Sequence, residues 1–166
     1  VGRLLTILCC FFFYVNTAIA SEQQTAAKIV VYKAERKMEL LDKTSNILKT
    51  YKIALGANPK GHKTQEGDEK TPEGLYKISG RNSNSSFHLS LKISYPNEQD
   101  IAQATKRGVS AGGDIMIHGL RNGIGWLGSA HRLYDKWTNG CIAVTNKEIE
   151  EIWNLVLDGT PVEIRP

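Results

Sequence analysis

From Lys28 onward the apolar residues fall in short, β-branched runs broken by Gly, Pro, Asn and Ser, and few stretches carry a helical period. That pattern restricts the chain to a sheet-dominated fold. Lys28 to Tyr32, Met38 to Leu41 and Ile47 to Leu55 are predicted strands, most simply an antiparallel meander. Gly56 to Lys70 has glycine, proline and charge without periodicity, so it is a surface loop, closed by a turn at Thr71-Pro72-Glu73-Gly74. Strands resume at Leu75 to Ile78 and at Phe87 to Tyr95, where Phe87, Leu89, Leu91 and Ile93 alternate with polar residues.

Asn97 is placed to cap a helix over Glu98 to Arg107, stopped by Gly108. Asp114 to Gly119 then forms a buried strand that ends at His118. A short strand at Ile142 to Val144 leads into a capping box, Thr145 with Glu148, and Ile149, Ile152, Trp153 and Val156 line one helical face down to Asp158-Gly159. Pro161 to Arg165 is a last strand. With no alternating strand and helix units, the expected class is mostly β with two short helices.

Residues 1–20 place Arg3 before an apolar stretch from Leu4 to Val15 and end in Ala18-Ile19-Ala20, the layout of a secretory signal peptide. A membrane-spanning helix needs roughly 20 apolar residues, more than this run supplies. The expectation is a signal peptide over 1–20 and one domain over 21–166, exported to the periplasm or cell envelope and touching a membrane only during export. The net charge of +4 drops to about +3 once Arg3 leaves, and it is dispersed. That excludes a nucleic-acid footprint but suits an anionic wall polymer.

Export removes Cys9 and Cys10, so Cys141 in the stretch WTNGCIAV is left as the lone thiol. In an oxidising compartment such a thiol is either buried and inert or chemically used. A cysteine nucleophile needs a base, a group to orient that base, and N–H donors for the oxyanion it creates. Gly140 leaves the approach to Cys141 open, and the Gly140 and Cys141 N–H groups can form an oxyanion hole. His118, ending an apolar strand before Gly119, is the best base. His62 lies in the charged loop, His88 in the alternating strand and His131 in a Gly/Ser-rich segment. Taken singly, a core histidine and a small buried cysteine are the bland alternatives. These ligand types are scattered without the paired spacing of a zinc site, so no metal is expected. No nucleotide or flavin motif is present, and no cofactor is expected. The irregular segment Leu120 to Lys136 is a candidate lid or substrate wall.

Ile117-His118-Gly119, followed by Thr138-Asn139-Gly140-Cys141-Ile142, resembles the pattern of the YkuD-type L,D-transpeptidases: an HG dipeptide, then Ser/Thr-x-Gly-Cys. Lys70 to Tyr76, Ser94 to Asn97 and Thr145-Asn146 match too, so the resemblance covers nearly all of 21–166. It implies a β-sandwich-like catalytic domain that transfers acyl groups on peptidoglycan tetrapeptide stems without ATP or metal. Cys141 would attack the carbonyl of the third residue, a diamino acid, and expel the terminal D-alanine. His118 would move the protons, its tautomer fixed by a carbonyl of Gly119 or of the Thr138 region. The family often carries His where this chain has Asn139, and Arg where it has Ala143. Arg121 or Arg132 is a candidate replacement for that cation, and Trp126, Tyr134, Trp137 and Asn139 are further candidate substrate contacts. The acceptor stays open between a second stem, a wall-anchored protein and water, as do a same-fold hydrolase and a non-catalytic wall-binding module.

Overall fold

The computed structural model describes residues 24–134 and 136–166, without the side chains of Tyr134 and Lys136; the expected signal peptide lies outside the described residues. Ten strands are present among them: β1 (Lys28–Tyr32), β2 (Lys37–Leu41), β3 (Ile47–Lys52), β4 (Leu55–Gly56), β5 (Gly74–Ser85), β6 (His88–Ile93), β7 (Met116–His118), β8 (Lys136–Thr138), β9 (Ile142–Ala143) and β10 (Pro161–Arg165). The helices are α1 (Glu98–Lys106) and α2 (Asn146–Leu155). Eight strands form one sheet in the order β3-β2-β1-β10-β5-β6-β7-β9, and β4 pairs with β8 beside it. The sheet curls. Chain leaving β3 at one edge reaches Ala54, which exchanges both backbone hydrogen bonds with Ala143 of β9 at the other edge, each 2.9 Å long.

Register across β6, β7 and β9 places Leu91, Ile117 and Ile142 in one row, all at 0% exposure. Fully burying each such side chain stabilises the fold by about 1.5–3 kcal/mol. Because strand side chains alternate, the next row, Ser90, His118 and Ala143, lies on the opposite face. The alternation that builds the core thus also sets His118 apart from it.

Both helices begin as the sequence predicts. Asn97 and Asp100 make reciprocal capping bonds at the start of α1, and Thr145 and Glu148 do so for α2, whose Ile149 and Ile152 reach the core. α2 ends at Leu155, ahead of Asp158-Gly159, because Val156 is already extended. The strand expected over Ile47 to Leu55 breaks after Lys52, where Ile53, Ala54 and Leu55 are all buried and alternation stops. β5 runs well beyond Ile78. Its polar half pairs through backbone with β6, and Arg81 ties it to α2 by donating to the Trp153 and Val156 carbonyls and lying 4.6 Å from the Trp153 ring centroid. In place of an irregular insert, Gly125–Tyr134 is a 3-10 stretch kinked at Gly128 (φ 48°, ψ −129°).

Candidate active site

His118 ends β7, and Cys141 stands immediately before β9, the parallel neighbour of β7. His118 lies opposite Ala143, so Cys141, two residues earlier, presents its side chain on the same face. One strand across and two residues along separates the Cα atoms by about 8 Å. Both line a cavity of about 440 Å³, with Phe87, Ser90, Asp114, Trp137, Thr138 and Asn139 among the other walls.

The imidazole of His118 is 4% exposed, and its Nδ1 is 2.7 Å from the Gly119 carbonyl oxygen. Only an N–H can face a carbonyl at that distance, so Nδ1 carries the proton and Nε2 keeps its lone pair. Gly119 is therefore the orienting residue. A Cβ on it would come within 2.9 Å of Asn146 Oδ1 and 3.0 Å of Ile149 Cγ2, and that Oδ1 accepts from the Leu120 N–H at 2.8 Å. Glycine here lets α2 close against the end of β7. The ring sits between Phe87, with centroids 4.5 Å apart, and Trp137, edge-on at 5.6 Å. Burial holds the imidazole below the ordinary histidine pKa, and the Gly119 carbonyl acts weakly the other way.

Cys141 is half-buried, and its thiol donates to the Asp114 carbonyl at 3.4 Å. Burial pushes the thiol pKa up, and the Met116 N–H, directed at the sulfur, opposes that shift. The resting pair is a neutral thiol with a neutral imidazole, not the preformed ion pair in which a cysteine is most reactive.

Between β8 and β9 the turn is pinned. Thr138 Oγ1 donates to the Cys141 carbonyl at 2.8 Å and accepts from the Gly140 N–H at 3.3 Å. Thr71 Oγ1 donates to the Gly140 carbonyl at 2.8 Å. Thr71 is itself held by the buried Lys33 ammonium, which donates to its carbonyl at 2.9 Å and to Gly61 and Glu73. Gly140 has φ +113°, and a Cβ there would collide with the Lys70 carbonyl. The glycine thus serves the backbone and Lys70, not the approach of substrate, and its N–H is engaged. Of the two expected oxyanion donors, the Cys141 N–H makes no backbone hydrogen bond among the described residues. Gly140→Ala is expected to destabilise the protein by about 2 kcal/mol, from left-handed strain and the displaced carbonyl, read as a lower urea midpoint.

A family model for the YkuD L,D-transpeptidase catalytic domain matches residues 26–164. The chain belongs to the YkuD L,D-transpeptidase family. YafK of Escherichia coli, provisionally named an L,D-transpeptidase, is 31% identical over 134 residues, covering 77% of this chain and 46% of YafK. The chain thus spans about half the length of the curated relatives it matches. The helical cell shape determining protein Pgp2 of Campylobacter jejuni superposes with a TM-score of 0.64 at 25% identity, over 86% of this chain and 48% of that one. L,D-transpeptidase LdtMt1 in complex with imipenem shares the fold, with a TM-score of 0.53 at 15% identity over 84% and 59%.

Within this L,D-transpeptidase domain, Thr138, Trp137 and Asn139 lie at the cavity, whereas Arg121, Trp126 and Arg132 are not among its described lining residues. Arg132 is committed elsewhere: it donates to both Glu148 oxygens, at 2.7 and 2.6 Å, and to the Lys52 carbonyl at 3.0 Å. Trp126 is 80% exposed, and the Tyr134 side chain lies outside the described residues. Ala143, at the family's arginine position, is fully buried beside His118 and bridged to Ala54. Sequence reasoning missed Ser90, which pairs with His118 and is 3% exposed, because an alternating pattern assigns it to solvent. It also passed over His131, 3% exposed, whose two ring nitrogens have no hydrogen-bond partner among the described residues. That ring meets Trp137 edge-on with centroids 6.1 Å apart.

Proposed function

We propose that the protein is an exported cysteine acyl-transferase of cell-wall biogenesis that performs L,D-transpeptidation on peptidoglycan tetrapeptide stems. The observation that carries this reading is the placement of Cys141 and His118 on one face of neighbouring parallel strands, in one cavity, with Gly119 holding the imidazole so that Nε2 is free to take a proton. Family membership and the likeness to a cell-shape protein support it. Residues 1–20 act as the export signal, which places the reaction in the periplasm or cell envelope.

In the first half-reaction Nε2 takes the Cys141 proton as sulfur bonds to the carbonyl carbon of the third residue, and the C=O π pair moves onto oxygen. Collapse of that intermediate breaks the amide C–N bond, and the imidazolium gives its proton to the departing D-alanine nitrogen. An acceptor amine then attacks the thioester, His118 removes its surplus proton, and the thiol is restored. Proton transfer accompanies attack because neither group is ionised at rest.

Incubating the protein with disaccharide-tetrapeptide and identifying the products by mass tests this. Released D-alanine with a cross-linked dimer is the expected result. Tripeptide alone assigns the fold to hydrolysis, and unchanged substrate with bound glycan assigns it to a wall-binding module. Adding a peptide that ends in a lysine side chain tests whether the amine of a wall-anchored protein serves as acceptor.

A further inference from the structure

We infer that Thr71 is a positioning residue, in a role that rests on the acyl-transfer reading: by holding the Gly140 carbonyl, its hydroxyl aims the Cys141 N–H at the oxyanion formed when the thiol adds to a carbonyl. A main-chain donor stabilises an oxyanion only while its N–H points there, so the peptide that carries it must be fixed before reaction. Three successive peptides make the turn into β9. Thr138 Oγ1 accepts from the N–H of the first, at Gly140, at 3.3 Å and donates to the carbonyl of the third, at Cys141, at 2.8 Å. The middle peptide joins the Gly140 carbonyl to the Cys141 N–H. Among the described residues Thr71 alone bonds to it, through Oγ1 to the Gly140 carbonyl at 2.8 Å. This peptide is trans and planar, so its C=O and N–H point in opposite directions. With the carbonyl drawn toward the buried Thr71, the Cys141 N–H is turned away from it, on a residue that lines the cavity.

Glycine does not fix that plane by itself. At Gly140, with φ +113°, ψ ranges widely. A buried carbonyl that lost its donor would swing toward another and carry the Cys141 N–H with it. Thr71 can hold the carbonyl because it is itself anchored. It is 0% exposed, Pro72 restricts its backbone, and its own carbonyl accepts from Lys33 Nζ at 2.9 Å. The other two hydrogens of that ammonium go to the Gly61 carbonyl at 2.6 Å and to Glu73 Oε1 at 2.7 Å. Thr71 is not among the described residues lining the cavity, so it acts through the turn and not on substrate.

Two reactions of the same thiol separate this role from a structural one. In alkylation by iodoacetamide, sulfur displaces iodide and no oxyanion forms. In acylation by imipenem, sulfur adds to the lactam carbonyl through an oxyanion, the ring C–N bond breaks, and the nitrogen takes a proton. Thr71→Val, isosteric but without the hydroxyl, is expected to slow acylation about 100-fold, the low end of the cost of one oxyanion donor, with alkylation within about twofold of wild type. Thr71→Ser restores the hydroxyl and most of the acylation rate. Should Thr71→Val not fold, Thr71→Ala, which leaves room for a water on the Gly140 carbonyl, must show the same selective loss to a smaller degree. Acylation at wild-type rate in a folded variant overturns the inference. So does an equal fall in both reactions, which assigns Thr71 to the thiol's placement, and so does loss of folding in both variants, which assigns it to the fold. A wild-type protein that is alkylated yet acylated by neither imipenem nor tetrapeptide defeats the acyl-transfer reading itself, a different result from any of these.

Discussion

Replacing His118 with alanine slows acylation of Cys141 by imipenem about 10²–10⁴-fold near neutral pH, the range of a lost general base. The size of the effect follows from the resting state. Burial raises the thiol pKa and lowers that of the imidazole, so little thiolate exists before substrate arrives. In the proposed mechanism the nucleophile is made during attack; without the base, reaction waits on the small thiolate fraction. In His118→Ala the rate therefore climbs about tenfold per pH unit through the neutral range, following thiol ionisation, and the wild-type rate climbs less steeply. His118→Gln keeps a hydrogen-bonding group but cannot take the proton, and is as slow as the alanine variant. Cys141→Ala yields no adduct. Intact-protein mass spectrometry over time measures all four, and a fall of less than threefold in His118→Ala would remove His118 from the mechanism.

That Cys141 and His118 line one cavity is legible in the sequence because both signals are local: a glycine before the lone cysteine of the described residues, and a histidine closing an apolar strand. The capping boxes of α1 and α2 are equally local, which is why both helix starts agree with expectation. What escapes is set by register and by competition. Ser90 reads as a solvent-facing position, and only the pairing of β6 with β7 shows that this face is the floor of a cavity. Arg132 reads as a free cation for a substrate carboxylate, but Glu148, which the sequence spends on capping α2, also holds its guanidinium. The polar half of β5 lacks side-chain periodicity because backbone pairing with β6 and the anchor of Arg81 on α2 define it. Gly140 is legible as necessary, but the reason lies in the Lys70 carbonyl, seventy positions back along the chain.

Acid is expected to destabilise this protein through His131. Its pKa is pushed down to about 4, first by burial and then by the Arg132 charge, with Glu148 opposing and His118 adding slightly to the depression. A folded-state pKa below the unfolded value of 6.5 means that the unfolded chain binds the proton more readily. His131 therefore costs nothing extra above pH 6.5, and stability falls as pH drops from there toward 4, by about 3 kcal/mol at 1.36 kcal/mol per unit. His118, also buried and depressed, works in the same direction. His131→Phe keeps a ring against Trp137 and removes both unpartnered nitrogens, so it should match or exceed wild-type stability at pH 7 and lose much less at pH 4.5. Urea unfolding at the two pH values, followed by the fluorescence of Trp137 and its fellow tryptophans, gives the comparison. An equal acid loss in both proteins would rule His131 out as the source. Trp137 meets the rings of both histidines; acylation at pH 5 is therefore expected to survive better in His131→Phe than in wild type.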